Sequence, residues 1–350
     1  MKKINIGIIG CGYWGPNFVR NFNSIGNVNV IYASDLHQNR LYHINELYPH
    51  IKTTQNYHKI LNDKNIDAVI ISTPAATHYK LTRDALICEK HVLVEKPIAC
   101  EMKQAGELIN LAEFKKKILM VGHTFKFNPG VNKLKWLIQN NKLGKIYYVY
   151  SRRTNLGPLR KDVNVLWDLA PHDISILNYI LGKFPVAVSA RGEKFLAHNL
   201  EDVCFATLDY PDHILAHVHV SWLDPKKTRE IVIVGSRRMA VFDDLNSETP
   251  VILYDKSVME NKFRQNYDTF EEFQMIINNG KAQALRVKQE EPLKVECRHF
   301  VECIRRQRPA LTDGKDGMEV LNVLISMQHS LGHKGCTVKL KNNKAIRKKR

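Results

Sequence analysis

The feature that most narrows what this chain can fold into is the glycine-spaced hexapeptide Gly10-Cys11-Gly12-Tyr13-Trp14-Gly15. It follows the apolar run INIGII without a gap and opens directly onto a segment of helical pattern. A strand that passes into a helix through so short a connection needs a tight backbone reversal. In that setting the first glycine permits the turn, the second leaves the backbone open to close approach, and the third lets helix and strand pack. The helix start presents N–H groups outward, so the loop suits a phosphate-bearing ligand. Asp35 closes the next apolar run, VNVIYAS, twenty residues past Gly15. A carboxylate there accepts hydrogen bonds from the hydroxyls of an adenosine ribose and repels a 2′-phosphate, so the spacing predicts NAD rather than NADP. Arg40 is the nearby group that would favour the phosphate.

The run continues in the same grammar. DAVIIS, HVLVE and KILMVG are near-continuous apolar stretches, and the segments 13–25, 37–48, 76–87 and 102–114 between successive runs are long enough for helices. Strands buried on both faces read this way, which predicts an α/β Rossmann-type domain with a parallel sheet over residues 1–125. After Asn128 the pattern changes. HILAHVHVSWL alternates, placing Ile214, Ala216, Val218, Val220 and Trp222 on one face and His213, His217 and His219 on the other. KIYYVYSRRT, AVSARGEKF, VCFATLDY and REIVIVG carry similar strand signals, with a turn at Gly235-Ser236 before MAVFDD. One-sided strands of this kind predict an antiparallel-type sheet in an α+β domain over 126–338. Leu293, Cys297, Phe300, Val301 and Ile304 mark one amphipathic helix, and Leu321, Leu324, Ile325 and Leu331 mark another. Residues 339–350 read as a solvated basic tail.

A length of 350 residues fits two domains, and 44% hydrophobic with 25% charged residues excludes a disordered or collagen-like chain. The net charge of +17 is spread along the sequence, apart from the tail. It suits a small anionic ligand better than nucleic acid, which is not expected as a partner. Seven cysteines without a CxxC pair fit a reducing cytoplasm rather than a disulfide framework or a zinc knuckle. The amino terminus lacks the pattern of a signal peptide, and no apolar run is long enough to span a bilayer, so no membrane partner is expected.

Two further segments fall at carboxyl ends of the predicted parallel strands, where ligands of open α/β folds collect: Ser72-Thr73-Pro74 with His78, and Glu95-Lys96-Pro97. These residues, with Gly10, Gly12, Tyr13, Trp14, Gly15, Asp35 and Arg40, are the expected cofactor site. Lys96 there can hydrogen-bond a substrate hydroxyl and stabilise a developing alkoxide; the plainer reading is a surface lysine paired with Glu95. In LWDLAPHDISILNYILG, Asp168 and His172 lie four apart and share a helix face, away from the stripe Ala170, Ile174, Leu177 and Leu181. Pro171 is tolerable in a first helical turn, which places the expected helix start beside the pair. A histidine there can accept an alcohol proton and a neighbouring carboxylate can orient it or bind a hydroxyl; the plainer reading makes Asp168 an N-cap. His217 and His219 share a strand face but find no third ligand at suggestive spacing, so no metal is expected.

In combination and order, GCGYWG, STPAATH, EKP and WDLAPHD resemble the glucose-fructose oxidoreductase, inositol dehydrogenase and rhizopine-catabolism (Gfo/Idh/MocA) family over nearly the whole chain. The resemblance implies an N-terminal Rossmann domain, a C-terminal domain on a large open, mostly antiparallel sheet, and a catalytic set mapping to Lys96, Asp168 and His172. It also implies a homodimer or homotetramer packed through the exposed sheet face. Where many members carry a Gly-Gly pair before the aspartate, this chain has Asn164-Val165-Leu166-Trp167. GHTFKFNPG, SRRTNLGPLR, VSWLDP and EPLKVECRHF look more like members acting on UDP-linked amino-sugar acids. That likeness implies NAD-dependent oxidation of the 3-hydroxyl of such a sugar for glycan biosynthesis, with Arg152, Arg153, Asn155 and Arg160 binding the anionic substrate. The alternatives are an inositol or free-sugar dehydrogenase or ketosugar reductase, and, in another class, a non-catalytic NAD-binding regulator.

Overall fold

The structure is a computed structural model and describes residues 3–196, 199–258 and 277–340. The chain forms two compact units, one running through Phe127 and including Glu290–Asn322, the other comprising Asn128–Gln289 and the chain from Val323 onward.

In the first unit the apolar runs become parallel strands β1 (Ile4–Ile9), β2 (Val28–Ser34), β3 (Lys52–Thr54), β4 (Ala68–Ile71), β5 (His91–Glu95) and β6 (Leu119–Gly122). They are joined by helices α1 (Gly15–Asn23), α2 (Gln38–Leu47), α3 (His58–Asn62), α4 (Ala75–Ile87) and α5 (Met102–Phe114). The strand order is β3-β2-β1-β4-β5-β6, with every pair parallel. The order reverses between β1 and β4, and the carboxyl ends of strands on either side of such a switch point open a crevice for ligands. β4, β5 and β6 are buried at every residue, as strands covered on both faces must be.

One expectation is corrected here. The amphipathic helix Pro292–Arg306 and the start of helix Gly314–Gly332 belong to the first unit, not to a contiguous 126–338 domain, and the boundary falls after Phe127. Leu293, Cys297, Phe300, Val301 and Ile304 join Phe18, Val19 and Phe22 of α1 in one apolar cluster. Phe22 meets Phe300 edge-on at 6.5 Å between ring centroids, and Arg20 grips Glu291 through two bonds of 2.9 and 2.6 Å. Periodicity identifies a helix's apolar face but not the surface that will cover it.

The second unit holds α6 (Pro129–Gln139), α7 (Val165–Leu181) and a nine-stranded sheet in the order β14-β13-β12-β11-β7-β10-β9-β8-β15. The strands are β7 (Ile146–Leu156), β8 (Ala187–Glu193), β9 (Val203–Tyr210), β10 (Ile214–Ser221), β11 (Leu223–Gly235), β12 (Met239–Asp243), β13 (Val251–Val258), β14 (Ile277–Leu285) and β15 (Val338–Lys339). All neighbours are antiparallel except β7 and β10. Val149, Ser151 and Arg153 of β7 and Ala216, Val218 and Val220 of β10 form the buried face, and Ser151 and Arg153 bond to Asp173 of α7 across it. The opposite face shows Tyr148, Tyr150, Phe205 and Leu215. Lys339, expected to open the basic tail, is paired with β8; residues 341–350 lie outside the described residues.

The start of α7 also differs from expectation. Asn164 caps the helix by accepting from the N–H of Trp167 at 3.1 Å, so Pro171 sits inside the helix rather than in its first turn. The cap lies seven residues upstream of Pro171, so the helix starts there and carries the proline in its interior, where the buried face of α7 holds it against the loss of one backbone bond. Among the described residues, no helix is long and apolar enough to cross a membrane.

Candidate active site

The glycine loop has the shape its spacing predicts. Gly10 adopts φ +98°, and a Cβ there would lie 2.7 Å from the Ser72 carbonyl. At Gly15 a Cβ would lie 2.2 Å from the Gly10 oxygen, so helix α1 and the loop close up only around glycine. At Gly12, by contrast, a Cβ would meet nothing nearer than Arg40 Nη1 at 3.9 Å, which leaves that side of the loop open to a ligand. Asp35 braces the loop: its carboxylate accepts the N–H groups of Cys11 and His37 at 2.8 Å each and faces Arg40 Nη1 at 3.3 and 3.4 Å. The Ser72 hydroxyl donates to the Gly10 carbonyl at 2.8 Å, tying β4 to the loop. Tyr13 is 82% exposed and Trp14 39%, so both aromatic rings sit outside the helix core. An open backbone cradle at a helix start, with an acid at the end of β2, fits a dinucleotide. Burial, with Asp35 beside it, pushes the Cys11 thiol up to about 12, which makes it a packing residue and not a nucleophile.

At the next two strand ends the structure corrects two assignments. His78 is buried at 1% exposure, with Nδ1 at 2.7 Å from the Pro97 carbonyl and Nε2 at 2.8 Å from the Thr73 carbonyl. It lies beneath the strand ends and offers no surface to a cofactor. Burial and the nearby Lys96 charge hold its pKa below the ordinary histidine value. The Glu95 side chain likewise turns inward: it accepts the Lys96 N–H at 3.2 Å and packs across Gly122, where a Cβ would come within 3.1 Å of its Oε1. Burial pushes Glu95 up to about 7, opposed by the Lys96 charge. Behind it stands Glu296, which is fully buried, accepts the Thr124 hydroxyl at 2.7 Å, and is raised well above the carboxylate range by burial and by Glu95. Burial drives His123 down to about 4. Lys96 thus follows a strand whose end is surrounded by buried acids and histidines.

In the second unit, Asp168 and His172 lie on the half-buried face of α7 while Ala170, Ile174, Leu177 and Leu181 are buried. Asp168 is held from two sides: Arg160 Nη1 donates to Oδ1 at 3.1 Å and the Trp222 indole N–H donates to Oδ2 at 3.2 Å. Arg160 also grips Asp162 through bonds of 2.9 and 2.7 Å. Of the other expected substrate residues, Arg153 is corrected. It is buried in an ion pair with Asp173 at 2.9 Å, a packing role, because β-strand neighbours point to opposite faces and its alternation places it inward. Arg152 lies on the outer face and donates to Thr228 Oγ1 at 2.9 Å, and Asn155 donates to the Gly157 carbonyl. Asn164 and Trp167, which replace the Gly-Gly pair, both donate to Gln328 Oε1 at 3.0 Å.

The structure therefore groups Arg160 with Asp168, and the glycine loop with Asp35, Arg40 and Ser72. It sends Arg152 and Arg153 apart. Sequence reasoning missed Trp222, Asp162 and Glu296 as parts of these clusters. Trp222 had a usable signal: a tryptophan on the apolar face of a strand needs a partner for its indole N–H.

A glycine loop at the switch point of a parallel sheet, braced by a strand-end acid, defines an oxidoreductase with an NAD-binding Rossmann domain. The chain belongs to the Gfo/Idh/MocA family. The model described as oxidoreductase family, NAD-binding Rossmann fold, matches residues 4–123, and that of the GFO/IDH/MocA C-terminal domain matches 131–241. Myo-inositol 2-dehydrogenase of Thermotoga maritima is 25% identical over 72% of this chain and 79% of that protein. UDP-N-acetylglucosamine 3-dehydrogenase of Acidithiobacillus ferrooxidans is 24% identical over 75% of this chain and 78% of its own length. A solved structure of UDP-N-acetylglucosamine 3-dehydrogenase from A. ferrooxidans shares the fold, with a TM-score of 0.79 at 22% identity over 95% of this chain and 99% of that one. GenD2 from gentamicin A biosynthesis, solved in complex with NAD, shares it with a TM-score of 0.81 at 20% identity over 97% of each chain.

Proposed function

We propose that the protein oxidises a secondary hydroxyl of a sugar with NAD, and that the substrate is a UDP-linked N-acetylamino sugar acid oxidised at its 3-hydroxyl for surface-glycan synthesis in the cytoplasm. The observation that carries this reading is the double grip of Arg160 and Trp222 on Asp168, one helical turn before His172. It fixes a carboxylate acceptor one turn before a proton acceptor, with the Arg160 cation against the carboxylate. Bound NAD supplies the acceptor for the hydride. Lys96 donates a hydrogen bond to the reacting hydroxyl and stabilises the charge that grows on its oxygen. His172 takes the hydroxyl proton, and Asp168 accepts from a neighbouring sugar hydroxyl, which selects the carbon presented. The net positive charge of the chain favours a substrate bearing phosphate or carboxylate. Relatives named for UDP-N-acetylglucosamine and for inositol support the sugar-hydroxyl class.

The test follows NADH absorbance with UDP-N-acetylglucosaminuronic acid, UDP-N-acetylglucosamine, myo-inositol and free aldoses. The expected result is turnover of the acidic nucleotide sugar, reduced at least about a hundredfold in Lys96→Ala and His172→Ala with NADH binding retained. Turnover of inositol instead would assign the other branch of the family, and binding of NAD without turnover of any sugar would assign a regulator. We also propose that the outer face around Tyr148, Tyr150, Phe205 and Leu215 is covered by a second copy of the chain.

A further inference from the structure

The two strand ends on which the proposed chemistry depends are joined by one imidazole. Thr73 follows Ser72, whose hydroxyl is bonded to Gly10 of the cofactor loop, and Pro97 follows Lys96. His78, near the start of α4, places Nε2 at 2.8 Å from the Thr73 carbonyl and Nδ1 at 2.7 Å from the Pro97 carbonyl. Both partners accept only. A neutral imidazole carries a single N–H, so it donates to one carbonyl and turns a lone pair toward the other, whereas an imidazolium donates to both. Two contacts this short are both hydrogen bonds only when the ring carries both protons.

We propose that His78 is a positioning residue for Lys96, a proton-operated clamp that holds both strand ends when protonated and only one of them when neutral. The balance is set locally. Burial and the charge of Lys96, the titratable neighbour that acts on the ring, favour the neutral form, while the two carbonyls favour the charged one. Acidification therefore closes the clamp, and raising the pH frees one strand end. The role in turnover rests on the dehydrogenase reading given above; the proton count on the ring does not.

The test uses the full-length chain with two replacements that cannot titrate. In His78→Asn the amide nitrogen takes the place of Nδ1 and keeps the Pro97 bond, and in His78→Gln it takes the place of Nε2 and keeps the Thr73 bond. The expected loss divides between them. His78→Asn weakens NADH binding, read by fluorescence, by about three- to tenfold, and His78→Gln lowers kcat by about the same factor. In ring-¹⁵N-histidine NMR, the resonance missing from either variant gains its second N–H in the wild type as the pH falls from 8 to 5. Equal losses of affinity and kcat in both variants, or a ring that keeps one tautomer throughout, overturn the proposal. If the wild type oxidises no sugar, the dehydrogenase reading fails by itself, and the NMR titration and NADH affinities still decide the clamp. If one variant does not fold, the other assigns the resonance.

Discussion

At the scale of single residues, the most consequential bond is the one from the Trp222 indole N–H to Asp168. With Arg160 it fixes both carboxylate oxygens, so the carboxylate that we propose accepts from the sugar is held in one orientation. Trp222→Phe keeps a buried aromatic ring, though a smaller one, and removes the donor. Its expected effect is a drop in kcat/KM of about tenfold with little change in unfolding midpoint, read by steady-state kinetics beside thermal melts. An equal loss in both measurements would make the indole a packing residue alone. Spacing was enough to put Asp168 and His172 on one face of α7, because a four-residue interval on a helix is a geometric statement. It was not enough to separate Arg152 from Arg153. The adjacent arginines look equivalent in sequence, yet strand alternation turns one outward and seals the other against Asp173. His78 shows the same limit. Its position after a strand end drew it into the cofactor set, and only its two carbonyl partners show that it works from underneath.

At the scale of elements, α7 depends on its first turn. Asn164 accepts from the Trp167 N–H while its amide donates to Glu201 at 2.6 Å and Gln328 at 3.0 Å, so one side chain caps the helix and anchors it. Asn164→Ala is expected to destabilise the protein by about 1–2 kcal/mol in urea unfolding. Asn164→Asp keeps the cap but sets a carboxylate against Glu201, and is expected to lose at least as much as the alanine variant. The strands with clear alternation, such as β9 and β10, were legible, and so were the five apolar runs of the parallel sheet. β3, of three residues, and β13, where Asp255 and Lys256 interrupt the alternation, left no pattern long enough to read. The interior position of Pro171 was hidden for a related reason: proline marks where a helix prefers to begin, but here Asn164 starts it two turns earlier.

At the scale of the whole molecule, buried titratable groups pull stability in opposite directions along the pH axis. Glu95 is raised from 4.5 to about 7, and Glu296 well above its ordinary value, so the folded chain holds protons that the unfolded chain releases. The Glu95 contribution is complete below about pH 4.5 and is lost as the pH rises through about 7, and Glu296 acts with the same sign. His123, lowered to about 4, acts with the reverse sign: its contribution is present above about 6.5 and is lost as the pH falls toward 4. Glu95→Gln is therefore expected to gain on the wild type between pH 5 and 8, by at most about 3 kcal/mol, in urea unfolding. A constant difference across that range would mean that Glu95 is already ionised at pH 5. The other molecular property is the pairing of copies that we propose through the outer sheet face. Phe205 stacks on His219 at 4.3 Å in the middle of that face, and Phe205→Lys is expected to shift the mass seen by light scattering from dimer or tetramer toward monomer.

Helix Pro292–Arg306 carries a consequence for how the protein is made. A ribosome releases the Rossmann segment first, but the cover for Phe18 and Phe22 emerges only when almost the whole polypeptide has been synthesised. The nascent amino-terminal half must wait with that apolar patch open to water or to a chaperone, and a fragment ending near residue 125 would keep it open permanently.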